Sequence, residues 1–130
     1  MAKINPLELI IEADDSKELT GRVTYNGNLI VDSAGTVDQL EEKIKNLLQE
    51  FEGIDPSQVE FEYQYDVYAL FQKFDYLNIS KVAQHAGINP GLLRQYASGV
   101  KNPSKDQALK IESTLHRLAD ELQDAQIFVG

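Results

Sequence analysis

The hydrophobic pattern of this chain changes its period near residue 66. Before that point most apolar segments are short runs typical of strands, with one helical segment among them, and VEFEYQY (59–65) alternates with the period of two of a half-buried strand. After it, apolar residues recur every three or four positions, which is the spacing of one α-helical face. In a chain of 130 residues this change predicts two small domains, residues 1–65 and residues 66–130.

The first domain is predicted to contain four strands. The runs LELIIEA (7–13), GRVTY (21–25) and NLIVD (28–32) have the composition of strands, and residues 59–65 form the fourth. Asn26-Gly27, between the second and third runs, is a strong hairpin signal because both turn residues need positive φ. We therefore expect an antiparallel sheet.

One helix is predicted between the third and fourth strands, over residues 36–51. Thr36 fits as its N-cap, Gln39 completes a capping box, and Gly53 ends the helix. This helix is expected to cover one face of the sheet with its apolar stripe. The residues of that stripe are Val37, Leu40, Ile44, Leu47, Leu48 and Phe51.

Two short helices joined by a tight turn are predicted in the second domain. Asn78 fits as the N-cap of the first helix and Gly87 as its end, while Asn89, followed by proline, begins the second within NPGLLRQYASG (89–99). This is a helix-turn-helix arrangement, and Ser104 then caps a final helix. The expected fold class is α+β: a β-β-β-α-β N-terminal domain followed by an all-α helix-turn-helix domain.

The second helix of the pair predicts a DNA-binding surface. With Leu93 and Tyr96 packed inward, Arg94 and Gln95 project outward. Arginine and glutamine read guanine and adenine edges in the major groove, and lysines and helix N-termini bind phosphates. The predicted DNA-binding residues are Lys81, Asn89, Gly91, Arg94, Gln95, Ser98, Lys101, Ser104 and Lys105.

Charge is unevenly distributed along the chain, whose net charge is −9. Residues 1–66 contain 15 acidic and 5 basic residues, a net charge of −10. Residues 78–117 contain 6 basic and 2 acidic residues, a net charge of +4. This asymmetry indicates different partners for the two halves, although an acidic surface that only aids solubility is the simpler alternative.

The sequence lacks the motifs of catalysis, metal binding and membrane insertion. It contains no cysteine, which excludes disulfides and thiolate metal sites and favours a cytoplasmic protein. Its apolar runs are too short for a membrane span or a signal peptide. His85 and His116 stand alone, and no catalytic triad order or phosphate loop is present. We therefore expect no enzymatic activity, no metal and no cofactor.

Two segments resemble known families. ISKVAQHAGINPGLLRQYASGVKNPS (79–104) resembles the phage Cro and repressor-type helix-turn-helix, including the closing G-x-x-x-P-S. Three strands followed by AGTVDQLEEKIKNLLQEF (34–51) and a fourth strand resemble HicB-type antitoxins. These antitoxins have a partial RNase-H-like domain, often followed by a DNA-binding domain, so the resemblance implies the same two parts here.

The resemblance also implies a function. In the family, the N-terminal domain caps a small basic ribonuclease toxin, and the second domain binds double-stranded operator DNA and represses the operon. The acidic half of this chain would then face a basic protein. Because one helix-turn-helix contacts only a short stretch of groove, we also expect a homo-oligomer, a dimer or a tetramer.

Two alternatives of other classes stay open at this stage. In the first alternative, the chain is a protein-interaction module whose helix-turn-helix no longer binds DNA. In the second it is a metal-dependent nuclease that uses some of the 15 carboxylates of the first half. Most of those carboxylates fall at predicted helix-surface or turn positions, which a solvated face explains more simply.

Overall fold

The computed structural model describes residues 5–130. The strands are β1 (Leu7–Ala13), β2 (Leu19–Tyr25), β3 (Asn28–Ala34) and β4 (Phe61–Tyr65). The helices are α1 (Val37–Glu52), α2 (Val67–Lys73), α3 (Ile79–Ala86), α4 (Pro90–Ala97) and α5 (Lys105–Asp124), and a short 3-10 turn spans Pro56–Gln58. The chain divides into two compact units, of which the first ends at Phe74 and the second begins at Asp75.

The four strands form one mixed sheet in the order β3-β2-β1-β4. Asn26 and Gly27 connect β2 to β3 with φ values of 50° and 77°, as a two-residue hairpin turn requires. β1 pairs with β4 in parallel, from Leu7 opposite Phe61 to Ile11 opposite Tyr65. The expected antiparallel sheet is therefore wrong. The chain crosses back along α1 before β4, so β4 runs in the same direction as β1.

Helix α1 covers one face of this sheet. Leu40, Ile44 and Leu48 are fully buried against the sheet. A Cβ on Gly21 of β2 would lie 2.8 Å from Leu40 Cδ2, so glycine is what allows the helix to approach this strand. Phe51 departs from the predicted stripe, because it lies in the last turn of α1 with 69% of its surface exposed.

Helix α2 belongs to the first unit. Asp66 joins it to the sheet, because its Oδ1 accepts a hydrogen bond from Ala69 N (2.7 Å) and its Oδ2 accepts one from Ala13 N (2.8 Å). Ala69 is fully buried in the core that α1 and the sheet share. The predicted β-β-β-α-β domain followed by an all-α domain is therefore wrong. The helices interleave with the strands, and the first unit is β-β-β-α-β-α.

The second unit packs α3 against both α4 and α5. Its buried residues come from all three helices and from the turn between α3 and α4. They are Val82, Ala83, Ile88, Leu93, Tyr96, Ile111 and Thr114. Helix α5 is buried at one end only, since Ile111 is 2% exposed whereas Leu122, farther along the helix, is 74% exposed.

Candidate nucleic-acid interface

The turn between α3 and α4 is fixed by one glycine and one buried isoleucine. Gly87 ends α3 with φ of 69°, a left-handed conformation that disfavours residues with a Cβ. The next residue, Ile88, donates its N–H to the Ala83 carbonyl at 2.9 Å and is 5% exposed. The turn is thus held by a backbone hydrogen bond and by packing. It sets the direction in which α4 leaves.

Asn89 caps the start of α4. Its Oδ1 accepts hydrogen bonds from Gly91 N (2.8 Å) and Leu92 N (3.2 Å), and Pro90 occupies the first helical position. A Cβ on Gly91 would lie 3.1 Å from that Oδ1, a tight contact. Asn89 is exposed and Gly91 half-buried. The geometry of the cap accounts for both residues independently of the DNA-binding role predicted for them.

Helix α4 turns its two faces as the sequence predicts. Leu93 is fully buried and Tyr96 is 6% exposed, whereas Arg94, Gln95 and Ser98 lie exposed on the other side. We call Arg94, Gln95 and Ser98 the outward face of α4. This face carries a guanidinium, an amide and a hydroxyl. All three groups can hydrogen-bond to base edges or phosphates.

Arg94 is hydrogen-bonded across the helix pair. Its Nη1 donates to Ser80 Oγ in the first turn of α3, at 2.8 Å. Ser80 is not among the DNA-binding residues predicted from the sequence. A small polar residue near the start of the first helix, at a position that can meet the second, is the signal that identifies it. The candidate interface therefore includes the start of α3 as well as α4.

The loop after α4 folds back onto the last turn of that helix. The Gln95 carbonyl accepts hydrogen bonds from Val100 N (3.0 Å) and Lys101 N (3.2 Å). Ser98 Oγ also donates to this carbonyl, at 3.2 Å. The backbone of Lys101 is thereby fixed beside the end of α4, and its side chain is exposed.

Two of the lysines predicted to bind DNA, Lys81 and Lys105, lie at the starts of helices. Lys81 is in the first turn of α3, and its N–H donates to the Asn78 cap at 3.0 Å. Lys105 begins α5, where Ser104 Oγ accepts from Gln107 N at 3.2 Å. Both lysine side chains are exposed at the positive end of a helix dipole, where phosphates bind. Asp106, also in the first turn of α5, opposes an anion there.

Arg117, another basic residue of this segment, forms a structural contact between two helices. Its Nη2 donates to the His85 carbonyl at 3.0 Å, and His85 lies in the last turn of α3. A cation bound to the C-terminal carbonyls of a helix complements the helix dipole. Arg117 therefore holds α5 against α3, and the basic character of residues 78–117 is only partly available to a ligand.

The first unit presents an acidic sheet face on the side opposite α1. Glu8 and Glu62 are directly opposite each other on β1 and β4, and both are exposed. Like charges in this position repel each other. On the same face Arg22 forms an ion pair with Glu12. A basic partner would relieve the repulsion between these two carboxylates.

Two further findings bear on chemistry. Within residues 5–130, no group of three or more histidine, cysteine or acidic side chains is arranged to hold a metal ion. Over the same part of the chain, every helix is too short or too polar to cross a bilayer.

Comparison with protein-family models, with curated proteins and with solved structures finds no match. Function must therefore be inferred from the residues themselves.

Proposed function

We propose that this protein is a DNA-binding transcriptional repressor of the HicB antitoxin type. The observation that carries the proposal is the orientation of α4. Asn89 caps this helix, buried Leu93 anchors it, and the turn at Gly87 sets its direction, so that Arg94 and Gln95 face outward. Such a helix is suited to the major groove, which admits one α-helix.

The chemistry of the side chains assigns some of them to base recognition and others to phosphate binding. Arg94 reads guanine and Gln95 reads adenine, since each can form a two-pronged hydrogen bond with that base. Lys81, Lys101 and Lys105 bind phosphates and supply affinity without sequence preference. A homodimer or tetramer engages two half-sites about one helical turn apart.

The first unit is proposed to bind a small basic ribonuclease toxin. What supports this is the net charge of −10 over residues 1–66 and the two exposed carboxylates of Glu8 and Glu62, which lie opposite each other on the acidic sheet face. Electrostatic complementarity of this kind mainly accelerates association. We assign both activities to the cytoplasm and assign no catalytic step to the chain.

The DNA half is tested by selection from a library of random duplexes with the full-length protein. We expect one enriched motif, and fluorescence anisotropy should then show tighter binding to it than to random DNA. The double variant Arg94→Ala/Gln95→Ala should enrich no motif. Lys45→Ala is a matched control, because it also removes a cation, but from α1, where the ammonium lies 5.8 Å from the Phe61 ring centre.

The runner-up function is a protein-interaction module whose helix-turn-helix no longer binds DNA. It makes a different prediction for the same measurement. If the wild-type protein binds neither random nor selected DNA at low salt, where phosphate contacts are strongest, the repressor proposal is wrong and the interaction module takes its place.

A further inference from the structure

The outer edge of β3 is closed at one end by side chains. β3 is the last strand of the sheet, so its outward backbone groups have no neighbouring strand. At Ser33 both groups are nevertheless occupied. The N–H donates to Asp32 Oδ1 at 2.8 Å, and the carbonyl accepts from Lys43 Nζ at 2.8 Å.

The other end of the same edge is open. In a two-residue hairpin the residues that flank the turn, here Tyr25 and Asn28, form a hydrogen-bonded pair. Alternation along β3 then directs the backbone groups of Leu29, Val31 and Ser33 away from β2. Of these three, only Ser33 is covered by a side chain. Leu29 and Val31 therefore present main-chain donors and acceptors at the edge.

An apolar groove accompanies the open end. It has a volume of about 450 Å³ and lies between β3 and the last turns of α1. From α1 it is lined by Phe51, which is 69% exposed, and by Leu47. β3 lines it at Leu29 and Val31, which are 63% and 47% exposed. Their side chains alternate with the buried Ile30 and therefore lie on the sheet face away from α1. Lys43, Leu47 and Phe51 lie at intervals of four along α1, on one side of the helix. Lys43 therefore reaches the closed end of the β3 edge, at Ser33, while Leu47 and Phe51 lie beside the open end.

We propose that the open end of β3 binds an extended segment of a basic protein, which adds to the sheet as a fifth strand. This inference rests on the proposed toxin-binding function and specifies where and how the first unit holds its partner. Exposed sheet edges bind peptides in this way, with main-chain hydrogen bonds for affinity and side-chain pockets for specificity.

Charge decides between a basic partner and a second copy of this chain. Glu52 lines the groove, and its Oε1 accepts a hydrogen bond from Asn28 Nδ2 at 2.8 Å. Glu50 is exposed in the same helical turn. Two copies joined at this edge would bring together two copies of residues 1–66, each with a net charge of −10, whereas a basic segment meets them with opposite charge.

The closed end limits the length of the added strand. Main-chain bonds are available from Leu29 to Val31, and the Lys43 ammonium and the Asp32 carboxylate block extension past Ser33. The partner segment is therefore short, with apolar residues at its centre for the groove and basic residues on either side.

The test uses the full-length protein and a synthetic peptide, KRVIVRK. Amide exchange followed by NMR should show that Leu29 and Val31 exchange more slowly once the peptide is bound. The variant Val31→Pro removes one outward N–H and leaves the bonds to β2 in place, so its affinity for the peptide should be about ten-fold lower. Val31→Thr keeps the N–H and should bind within about three-fold of wild type. The acidic peptide EDVIVDE should not bind.

Three results overturn the proposal. One is equal binding of KRVIVRK by wild type and a folded Val31→Pro variant. Another is peptide binding without protection of the Leu29 and Val31 amides, a measurement on the wild-type protein that needs no variant. The last is concentration-dependent protection of these amides without peptide, which would identify a second copy as the occupant. Binding of the selected DNA, measured on the same samples, shows separately whether the repressor function stands.

Discussion

Arg94 on the outward face of α4 and Ser80 in the first turn of α3 are joined by a hydrogen bond of 2.8 Å. The guanidinium proposed to read a base is thus oriented, before any ligand arrives, by the other helix of the pair. A long side chain held in one position loses less entropy when it binds. We therefore expect Ser80 to act as a positioning residue for Arg94.

Replacing Ser80 by alanine should weaken binding to the selected DNA by about two- to ten-fold, because the freed Arg94 must be immobilised on binding. The free energy of unfolding should fall by less than about 1 kcal/mol, since the bond is exposed to solvent. Ser113→Ala is the control. It also removes a serine hydroxyl, but that hydroxyl donates to the Lys110 carbonyl within α5 and not to a residue of α4. Anisotropy titrations would contradict the positioning role if both variants bound alike.

Arg94→Ala and Lys105→Ala should separate specificity from general affinity. A two-pronged arginine–guanine pair contributes about 1–3 kcal/mol of discrimination, so Arg94→Ala should reduce the ratio of affinities for selected and random DNA. Lys105→Ala should weaken both complexes alike and lower the salt dependence by about one unit. Anisotropy at several salt concentrations measures both quantities. An unchanged affinity ratio for Arg94→Ala would mean that α4 does not read bases.

Gly87→Ala should destabilise the second unit by about 1–2 kcal/mol, because alanine is strained at a φ of 69°. A Cβ there has no atom within 4 Å, so the cost is conformational and not steric. Gly35→Ala is the matched control. Its φ is not positive, and its Cβ would only approach Gln39 Oε1 at 3.7 Å. Urea unfolding of both variants checks this prediction, which fails if the two lose the same stability.

Tyr63 should make the first unit less stable in alkali. Burial, followed by its hydrogen bond to Glu41, raises the pKa of Tyr63 above the usual 10.0. Above that pH the unfolded chain loses the phenol proton while the folded chain keeps it, so stability falls as pH rises. Lys73, whose pKa is raised by its hydrogen bond to Asp38, acts in the same direction. Tyr63→Phe should therefore give a shallower decline of the unfolding free energy above pH 10. A decline as steep as in the wild type would contradict this origin.

Much of the secondary structure could be predicted from sequence because its signals are local. The strand predicted over residues 7–13 coincides with β1, and the helix predicted over 36–51 lies within one residue of α1. The caps Asn78 and Asn89 hold the positions that their sequence patterns indicate, since a cap depends on neighbours three residues away at most.

Pairing and exposure could not be predicted in the same way. Alternation in residues 59–65 shows that β4 has two faces but does not identify β1 as its parallel neighbour. Phe51 continues a helical stripe in sequence but lies at the last turn of α1, against the open groove. In the candidate DNA interface, the orientation of α4 followed from its inward residues. The Arg94–Ser80 bond depends on how two helices cross, which neither helix encodes alone.

The hydrogen bond from Ala13 to Asp66 also has a consequence for how the chain acquires its structure. It spans 53 residues of sequence, and it joins the end of β1 to the residue that follows β4. During synthesis, the hairpin of β2 and β3 can form from neighbouring residues, but β1 keeps an unpaired side until residue 65 has left the ribosome. In the second unit, α3 and α4 are joined over a shorter separation, the 14 residues between Ser80 and Arg94. We therefore expect loop closure to be the slow event in folding of the first unit, and the edge of β1 stays open in the nascent chain until β4 has been synthesised.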